Sequence, residues 1–305
     1  MSDYQISKVY PSDKRTNRLV SELLIKEGIR KDGNLDYTCA MFDDDMNVIA
    51  TGSCFGNTLR CMAVDSSHQG EGLMNEIVTH LMEVQFARGN MHLFLYTKCN
   101  SAKFFGDLGF YEIVRVDGQI VFMENRKTGF SGYLEKLKKE TCECKAYTDL
   151  ANADKRCLTG HAAASTDGSG TSAPVISALV MNANPFTLGH QYLVETSAAS
   201  CDLLHLFIVS EDSSLVPFSV RKKLVMEGTA HLSNICYHES GPYIISSATF
   251  PSYFQKDMDA VIESHAKLDL VIFTKIAHAL GIGRRYVGEE PHSRVTGIYN
   301  QIMEK

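Results

Sequence analysis

A stretch of small and polar residues near the middle of the chain limits what this sequence can fold into. Residues 159–174 are dominated by Gly, Ser, Ala and Thr, a composition that buries little apolar surface and is typical of flexible linkers. The chain has 305 residues, which is more than one compact core usually takes. We therefore predict a first domain over residues 1–128, a helix and flexible linker over 129–173, and a second domain over 174–305.

The first region is predicted to mix helices and strands. Apolar residues at helical spacing predict helices at 15–26, 70–88 and 101–108. Short apolar runs bounded by turn residues predict strands at 37–42, 47–55, 60–64, 92–96, 110–116 and 119–124. This pattern indicates an α+β domain.

The second region alternates strands with helices. Its predicted strands are 176–181, 204–209, 235–238, 268–273 and 286–288. Its predicted helices are 189–199, 218–228, 257–267 and 275–280. Such alternation is typical of a parallel sheet with crossover helices.

The turn after the first strand of this region is a candidate phosphate site. The strand ends at Met181, and a helix is predicted to start near Gly189. Helix starts offer unpaired N–H groups and partial positive charge, and ligands bind at the carboxyl ends of parallel strands. Gly189 lets a phosphate approach the backbone, Thr187 is a candidate N-cap, and His190 can donate a hydrogen bond to a phosphate oxygen. We predict catalytic roles for His190 and Thr187; the alternative is a capped helix with an exposed histidine.

These residues resemble a known superfamily. Thr187-Leu188-Gly189-His190 resembles the His/Thr-x-Gly-His signature of nucleotidylyltransferases, which holds the phosphates while pyrophosphate leaves. The longer strings 180–194, 246–254 and 286–300 closely resemble the citrate lyase ligase family over nearly the whole chain except the linker. The resemblance implies that ATP, with Mg²⁺, converts acetate to acetyl-adenylate. It also implies acetyl transfer to the thiol of the CoA-like prosthetic group on the citrate lyase acyl carrier subunit, which activates that enzyme.

The same resemblance implies a set of nucleotide-binding residues. They are Asn182, Ala183, Asn184, Phe186, Thr187, Gly189, His190, Arg221, Gly288 and Glu289. For Arg221 the alternative is an exposed basic helix face formed by 221–223. The family's later Ile-Ser-x-Ser-x-x-Arg motif is not in the sequence, so the second domain is expected to lack its C-terminal end.

Two segments of the first domain resemble the acetyl-CoA-dependent N-acetyltransferase superfamily. Residues 62–73 join a strand to a helix through a Gly-containing turn, whose N–H groups can cradle a pyrophosphate. Residues 100–110 resemble the segment that packs against the thioester arm in that superfamily. The residues implied for a CoA-like arm are Val64, Gln69, Gly70, Gly72, Leu73, Asn100 and Phe104. An inherited fold with no catalysis is an equal alternative.

Together the two resemblances imply an α/β protein. An N-acetyltransferase-like α+β domain would precede a Rossmann-like parallel-sheet nucleotidyltransferase domain. Three other functions stay open at this point: a nucleotidylyltransferase acting on a phosphorylated small molecule, an N-acetyltransferase, and a non-enzymatic remnant that binds nucleotide or carrier protein.

Composition and charge narrow the partners. The formal net charge of −6 argues against a nucleic-acid partner, which would need a basic patch. No apolar run is long enough to cross a membrane, and the N-terminus has no signal pattern, so a cytoplasmic protein is expected. The odd number of nine cysteines favours reduced thiols. Cys142, Cys144, Cys157 and His161 only loosely suggest a zinc site, and no metal site is predicted.

Overall fold

The computed structural model describes residues 4–153, 173–211, 215–244, 250, 258–288 and 294–303. The chain divides into two compact units. The first unit comprises residues 1–129 and 251–271, and the second comprises 130–250 and 272–305.

The first unit is built on a seven-stranded mixed sheet. Its strands are β1 (Ile6–Lys8), β2 (Tyr37–Phe42), β3 (Val48–Phe55), β4 (Thr58–Val64), β5 (Phe94–Thr97), β6 (Tyr111–Val116) and β7 (Ile120–Glu124). Its helices before the end of β7 are α1 (Lys14–Lys26), α2 (Leu73–Ala87) and α3 (Ala102–Asp107). The spatial order is β1-β2-β3-β4-β5-β7-β6, and only the β4–β5 pair is parallel.

The sheet opens between β4 and β5. These strands pair only at Thr58–Phe94 and Leu59–Leu95. Further along, β4 pairs with β3 on one side and β5 pairs with β7 on its other side. The two strand edges that face each other beyond Leu59 are therefore not joined in a ladder.

Helix α2 covers the sheet close to this opening. Its buried residues Leu73, Ile77 and Leu81 repeat every four positions and belong to the core of the unit. Gly52 on β3 allows the close approach, because a Cβ there would lie 2.6 Å from Ile77 Cγ2 and 2.9 Å from Leu81 Cδ1. Gly52 thus lets the middle of α2 pack directly on β3.

The second unit is built on a four-stranded parallel sheet. Its strands are β8 (Ile176–Met181), β9 (Leu203–Ile208), β10 (Ile235–Glu239) and β11 (Arg284–Tyr286), in the order β10-β9-β8-β11. The remaining helices along the chain are α4 (Gly129–Glu143), α5 (Lys145–Ala153), α6 (Leu188–Ala199), α7 (Phe218–Gly228), α8 (Met258–Leu280) and α9 (Arg294–Met303). The predicted fold class, a mixed α+β unit followed by a parallel sheet with helices, is confirmed.

Alternate residues of β9 pack into two hydrophobic clusters, one on each face of the sheet. Leu204 and Leu206 belong to a core cluster with Val194 of α6 and Val225 of α7. Leu203 faces the opposite side, in a cluster with residues of α5. A sheet buried on both faces explains why its strands read as continuous apolar runs.

One predicted strand, over 268–273, is wrong. The segment lies inside the single helix α8, whose buried residues Leu268, Ile272, Ile276 and Leu280 repeat every four positions. A short apolar run does not by itself distinguish a buried strand from a buried helix. Helix α5 also lies within the region predicted to hold the flexible linker. No helix in the described parts of the chain is both long and apolar enough to cross a membrane.

The expectation of reduced thiols is wrong for one pair. Cys144, between α4 and α5, forms a disulfide with Cys236 of β10, with a Cα–Cα distance of 5.9 Å. The sequence could not indicate this pairing because the two residues are 92 positions apart. In this form Cys144 is not available as a metal ligand, and Cys157 and His161 lie outside the described residues.

Candidate functional site

The turn after β8 leads directly into the start of α6. Thr187 is the N-cap of α6, and its hydroxyl oxygen accepts a hydrogen bond from the His190 backbone N–H at 3.5 Å. The His190 side chain completes a capping box, because the backbone N–H of Thr187 donates to Nδ1 of His190 at 3.2 Å. The sequence places a threonine and a histidine three positions apart, which is the spacing this reciprocal cap needs.

The cap also fixes the tautomer of His190. A backbone N–H can only donate, so Nδ1 of His190 must carry a lone pair. The Thr187 hydroxyl lies 2.8 Å from the same nitrogen and can donate to it as well. The proton of the neutral ring is then on Nε2, which is the donor that a phosphate oxygen requires.

The ring of Phe186 packs against the ring of His190. The two rings stack with a centroid distance of 5.9 Å and an interplanar angle of 28°. On its other side Phe186 packs on α7, where a Cβ at Gly228 would lie 2.5 Å from Phe186 Cε1. Gly228 therefore makes room for Phe186, and Phe186 limits how the His190 ring can tilt.

Neither the backbone conformation nor any contact with the described residues requires a glycine at position 189. It does not adopt a left-handed conformation, and a Cβ built there would meet only the Thr187 hydroxyl oxygen, at 3.7 Å. A glycine in the first turn of a helix lowers helix stability relative to alanine. Its presence is explained if a group outside the chain approaches the backbone at this point.

Residues 182–184, at the beginning of this turn, form contacts within the protein, although Asn184 is exposed. Ala183 is buried and has a positive φ of 50°. The side-chain oxygen of Asn184 accepts a hydrogen bond from Val216 N at 3.0 Å. Asn182 accepts hydrogen bonds from Arg221 through both its backbone and its side-chain oxygen. The structure thus gives Asn182, Ala183 and Asn184 contacts that shape the turn.

Arg221, one of the predicted nucleotide-binding residues, is held by the protein itself. Its side chain is wholly buried, and all three guanidinium nitrogens donate to oxygen atoms of the protein. The alternative of an exposed basic face is wrong for Arg221, because the side chain is buried. Lys222 and Lys223 are on the surface of α7 and form ion pairs with Glu239 and Glu227.

Gly288 lies at the same edge of the sheet as the turn. Tyr286 of β11 pairs with Leu179 of β8, so Gly288 is level with Met181 at the carboxyl end of β8. A Cβ at Gly288 would be 3.3 Å from Leu193 Cδ2 of α6. Glu289, the last predicted nucleotide-binding residue, lies outside the described residues.

The opening between β4 and β5 forms a cavity of about 650 Å³ in the first unit. This volume is typical of small-ligand sites. All seven residues predicted for a CoA-like arm line it: Val64, Gln69, Gly70, Gly72, Leu73, Asn100 and Phe104. Sequence reasoning missed other lining residues, including Glu27, Ile29, Tyr96, Thr97 and Lys98. Their positions, just after α1 and at or just beyond the end of β5, are the one signal that could have indicated them.

The start of α2 points an uncapped helix end into this cavity. Gly72 is the N-cap with a φ of 81° and has no side-chain cap. Asn75 and Glu76 donate to the Gly72 carbonyl, so the N–H groups of Leu73 and Met74 precede the first intrahelical bond. Such a helix start suits an anionic group.

A buried histidine pair occupies the α4 side of the parallel sheet. Nδ1 of His205 lies 2.9 Å from Nε2 of His238, and Nδ1 of His238 lies 3.1 Å from a carboxylate oxygen of Glu140 on α4. Burial, and secondarily the neighbouring His238, lowers the pKa of His205 to about 3. Burial also lowers the pKa of His238, against the opposing effect of Glu140. Both rings are therefore neutral at physiological pH.

Similarity to known proteins extends over nearly the whole chain. A citrate (pro-3S)-lyase ligase from Escherichia coli K12 is 36% identical over 298 residues, covering 97% of this chain and 76% of that protein. A ligase of the same name from Haemophilus influenzae is 35% identical over 300 residues, covering 98% of this chain and 81% of that protein. Residues 176–305 match the family described as the citrate lyase ligase C-terminal domain.

The chain belongs to the citrate lyase ligase family. The turn after β8, α6, α7 and Gly288 all lie within the part that matches the family's C-terminal domain. The family resemblance inferred from the 180–194 and 286–300 strings is thus confirmed.

Solved structures similar to this citrate lyase ligase family member include two acyltransferases. An acyl-CoA N-acyltransferase from Klebsiella pneumoniae is 17% identical and covers 40% of this chain and 96% of that chain, with a TM-score of 0.33. An acetyltransferase of the GNAT family from Staphylococcus aureus is 13% identical and covers 40% of this chain and 99% of that chain, with a TM-score of 0.34.

Proposed function

We propose that this protein is an acid–thiol ligase that uses ATP to activate acetate and acetylates the CoA-like prosthetic group of the citrate lyase acyl carrier subunit. A carboxylate oxygen of acetate attacks the α-phosphorus of ATP, and pyrophosphate leaves. The thiolate of the prosthetic group then attacks the acetyl carbonyl, and AMP leaves. Family membership and the turn before α6 support this proposal.

The observation that carries the proposal is the orientation of the His190 ring. Its Nδ1 is engaged by the N-cap, so that its Nε2 proton is available for a phosphate oxygen beside the helix start. Attacking acetate and triphosphate are both anionic, and catalysis then consists mainly of positioning and charge stabilisation. A fixed donor and a helix N-terminus supply both.

Mg²⁺ enters this proposal with the nucleotide. The described residues contain no group of three or more His, Cys, Asp or Glu side chains that could hold a metal ion. Mg²⁺ commonly keeps several waters and binds through substrate phosphates. We therefore propose that it binds together with the ATP phosphates.

We also propose that the cavity of the first unit holds the CoA-like arm of the carrier subunit. A pantetheine arm is extended and contains amides, which can pair with the strand edges left open between β4 and β5. The pyrophosphate would lie at the start of α2, near Gly72 and Leu73.

Replacing Gly189 with alanine should separate stability from activity. We expect the free energy of unfolding to rise by about 0.5–1 kcal/mol, because alanine favours helix over glycine. Acetate-dependent pyrophosphate release from ATP should fall roughly 10- to 100-fold, because the methyl group displaces the phosphate. Release is measured with and without acetate, and stability by urea unfolding.

Gly132→Ala is the matched control. Gly132 is an exposed glycine within α4, and a Cβ there would meet nothing within 4 Å. It should gain helix stability and keep full activity. Wild-type release that does not depend on acetate would contradict acetate activation and favour a nucleotidylyltransferase. Turnover of acetyl-CoA without ATP would favour an N-acetyltransferase.

Dephospho-CoA should bind the cavity, and Phe104→Ala should weaken this binding about tenfold. Phe104 lines the cavity and is half-buried, and losing one aromatic contact costs roughly 1–2 kcal/mol. Titration calorimetry with dephospho-CoA measures the affinity. Tyr111→Ala, an exposed aromatic on β6 that does not line the cavity, should bind as the wild type does. Equal loss in both variants, or no wild-type binding, would contradict the assignment.

A further inference from the structure

Arg221 joins three segments at the carboxyl edge of the parallel sheet. Its Nε donates to the Val216 carbonyl at 2.9 Å, just before α7. Its Nη1 donates to the Asn182 carbonyl at 2.7 Å and to the Val209 carbonyl at 2.8 Å, after β8 and β9. Its Nη2 donates to the Glu211 carbonyl, further along the segment after β9.

These bonds explain why a cation is tolerated at a wholly buried position. A buried charge is costly unless it is paired or hydrogen-bonded, and guanidinium donors make charge-assisted bonds to carbonyls. The carbonyls gain as well, because loop oxygens away from water need partners. A lysine has three donors on a flexible stem and cannot reproduce the planar set of the guanidinium.

The contact with Asn182 connects Arg221 to the turn between β8 and α6, where we propose that phosphate binds. Asn182 accepts at both its backbone oxygen and its side-chain oxygen, the latter at 3.0 Å. It immediately precedes Ala183, whose positive φ is strained for a residue with a Cβ and persists only where the surroundings hold it. Four residues further along, Thr187 caps the start of α6.

Helix α7 holds the same turn at two further places. Val216 N, next to the start of α7, donates to the side chain of Asn184. Gly228, at the end of α7, receives the ring of Phe186, which stacks on His190. The turn is thus supported along its length by α7, and Arg221 is the residue that also ties α7 to the segment after β9.

We propose that Arg221 is a positioning residue for the nucleotide site: it holds the turn that orients His190 and does not itself touch phosphate. This inference rests on the proposed nucleotide site at the start of α6. It predicts that Arg221 acts through Asn182, so that the two residues are coupled in ATP binding.

The test measures the affinity for ATP with Mg²⁺ in Arg221→Lys, Asn182→Ala and the double variant. We expect Arg221→Lys to weaken ATP binding roughly 10- to 100-fold, and Asn182→Ala to weaken it less. The double variant should be no weaker than Arg221→Lys alone by more than about twofold, since residues acting as one unit are not additive. Lys222→Met, which removes the neighbouring surface cation, should bind as the wild type does.

Direct phosphate contact by Arg221 would instead make the two losses multiply. That result, or Arg221→Lys binding ATP within twofold of the wild type, would overturn the proposal. If Arg221→Lys does not fold, Asn182→Ala decides, because unchanged ATP affinity in that variant would equally overturn it. Acetate-dependent pyrophosphate release by the wild type is measured in parallel. If the wild type binds ATP but releases no pyrophosphate in response to acetate, the proposed function is contradicted. The role of Arg221 is then still decided by the ATP affinities of the variants.

Discussion

Acetate-dependent pyrophosphate release by His190→Ala is expected to be roughly 10²- to 10³-fold slower than by the wild type. The variant loses the Nε2 donor toward the phosphate, and it also loses the Nδ1 acceptor that completes the cap of α6. Loss of the cap costs about 1 kcal/mol of helix stability, a small part of the roughly 5–15 kcal/mol by which native proteins are typically stable. The decrease should therefore appear mainly in kcat, with the protein still folded at assay temperature.

Two further variants separate the donor from the cap. His190→Gln keeps an N–H donor near the position of Nε2 and should retain more activity than His190→Ala. His190→Asn keeps polar atoms near the position of Nδ1 and should be as slow as His190→Ala. His278→Ala, which removes an exposed histidine from the end of α8, should not affect the rate. Equal activity of the glutamine and asparagine variants would contradict a specific role for the Nε2 proton.

The second large effect is expected in acid, from the buried pair His205 and His238. Burial holds the pKa of His205 at about 3, whereas an unfolded chain's imidazole titrates near 6.5. Between these values the unfolded state binds more protons, so the free energy of unfolding falls as the pH falls from about 6.5 toward 3. For His205 alone the loss is on the order of 4 kcal/mol across that window.

His205→Asn tests this assignment because it removes the titrating ring and keeps a donor near the position of Nδ1. We compare the free energy of unfolding of the variant with that of the wild type at each pH. From pH 7 to pH 4.5 this difference should shift in favour of the variant by about 2–3 kcal/mol. Because the chain has no tryptophan, urea unfolding is best followed by far-ultraviolet circular dichroism. His278→Asn should show the wild-type slope with pH. Parallel loss of stability in His205→Asn and the wild type would assign the acid sensitivity to other groups.

The turn before α6 could be predicted from sequence because its chemistry is local. Thr187 caps the helix it precedes, and its partner His190 is three residues away. The strand and the helix around them are each specified by short runs of residues. In this part of the site, the residues that contact one another are also close together in the sequence.

Arg221 could not be assigned from sequence because its environment is made by distant segments. Its partners include backbone carbonyls after β8 and β9, up to 39 residues away. Because every residue has a backbone carbonyl, residue types do not indicate which carbonyls will accept these bonds. A basic residue in a helix is usually exposed, and that alternative did not match the buried side chain. Cys144 and Cys236 escaped prediction for the same reason.

The first-unit cavity shows an intermediate case. Gly72 and Leu73 could be predicted from the glycine pattern at the start of α2. The lining by Tyr96 and Thr97 depends on β4 and β5 parting after two residue pairs. That divergence is a property of the sheet as a whole, which one strand's sequence does not contain.

The opening between β4 and β5 also sets a limit on what can enter. Unpaired strand edges at the perimeter of a sheet invite any neighbouring chain to add on, which is a hazard for aggregation. Here the unpaired edges of β4 and β5 face one another across a cavity within the first unit. A space of about 650 Å³ can hold a small ligand or an extended arm, and it is far too small for a folded domain. Size alone therefore excludes a globular carrier protein from this space, whereas the slender arm that we propose as its ligand is small enough to enter.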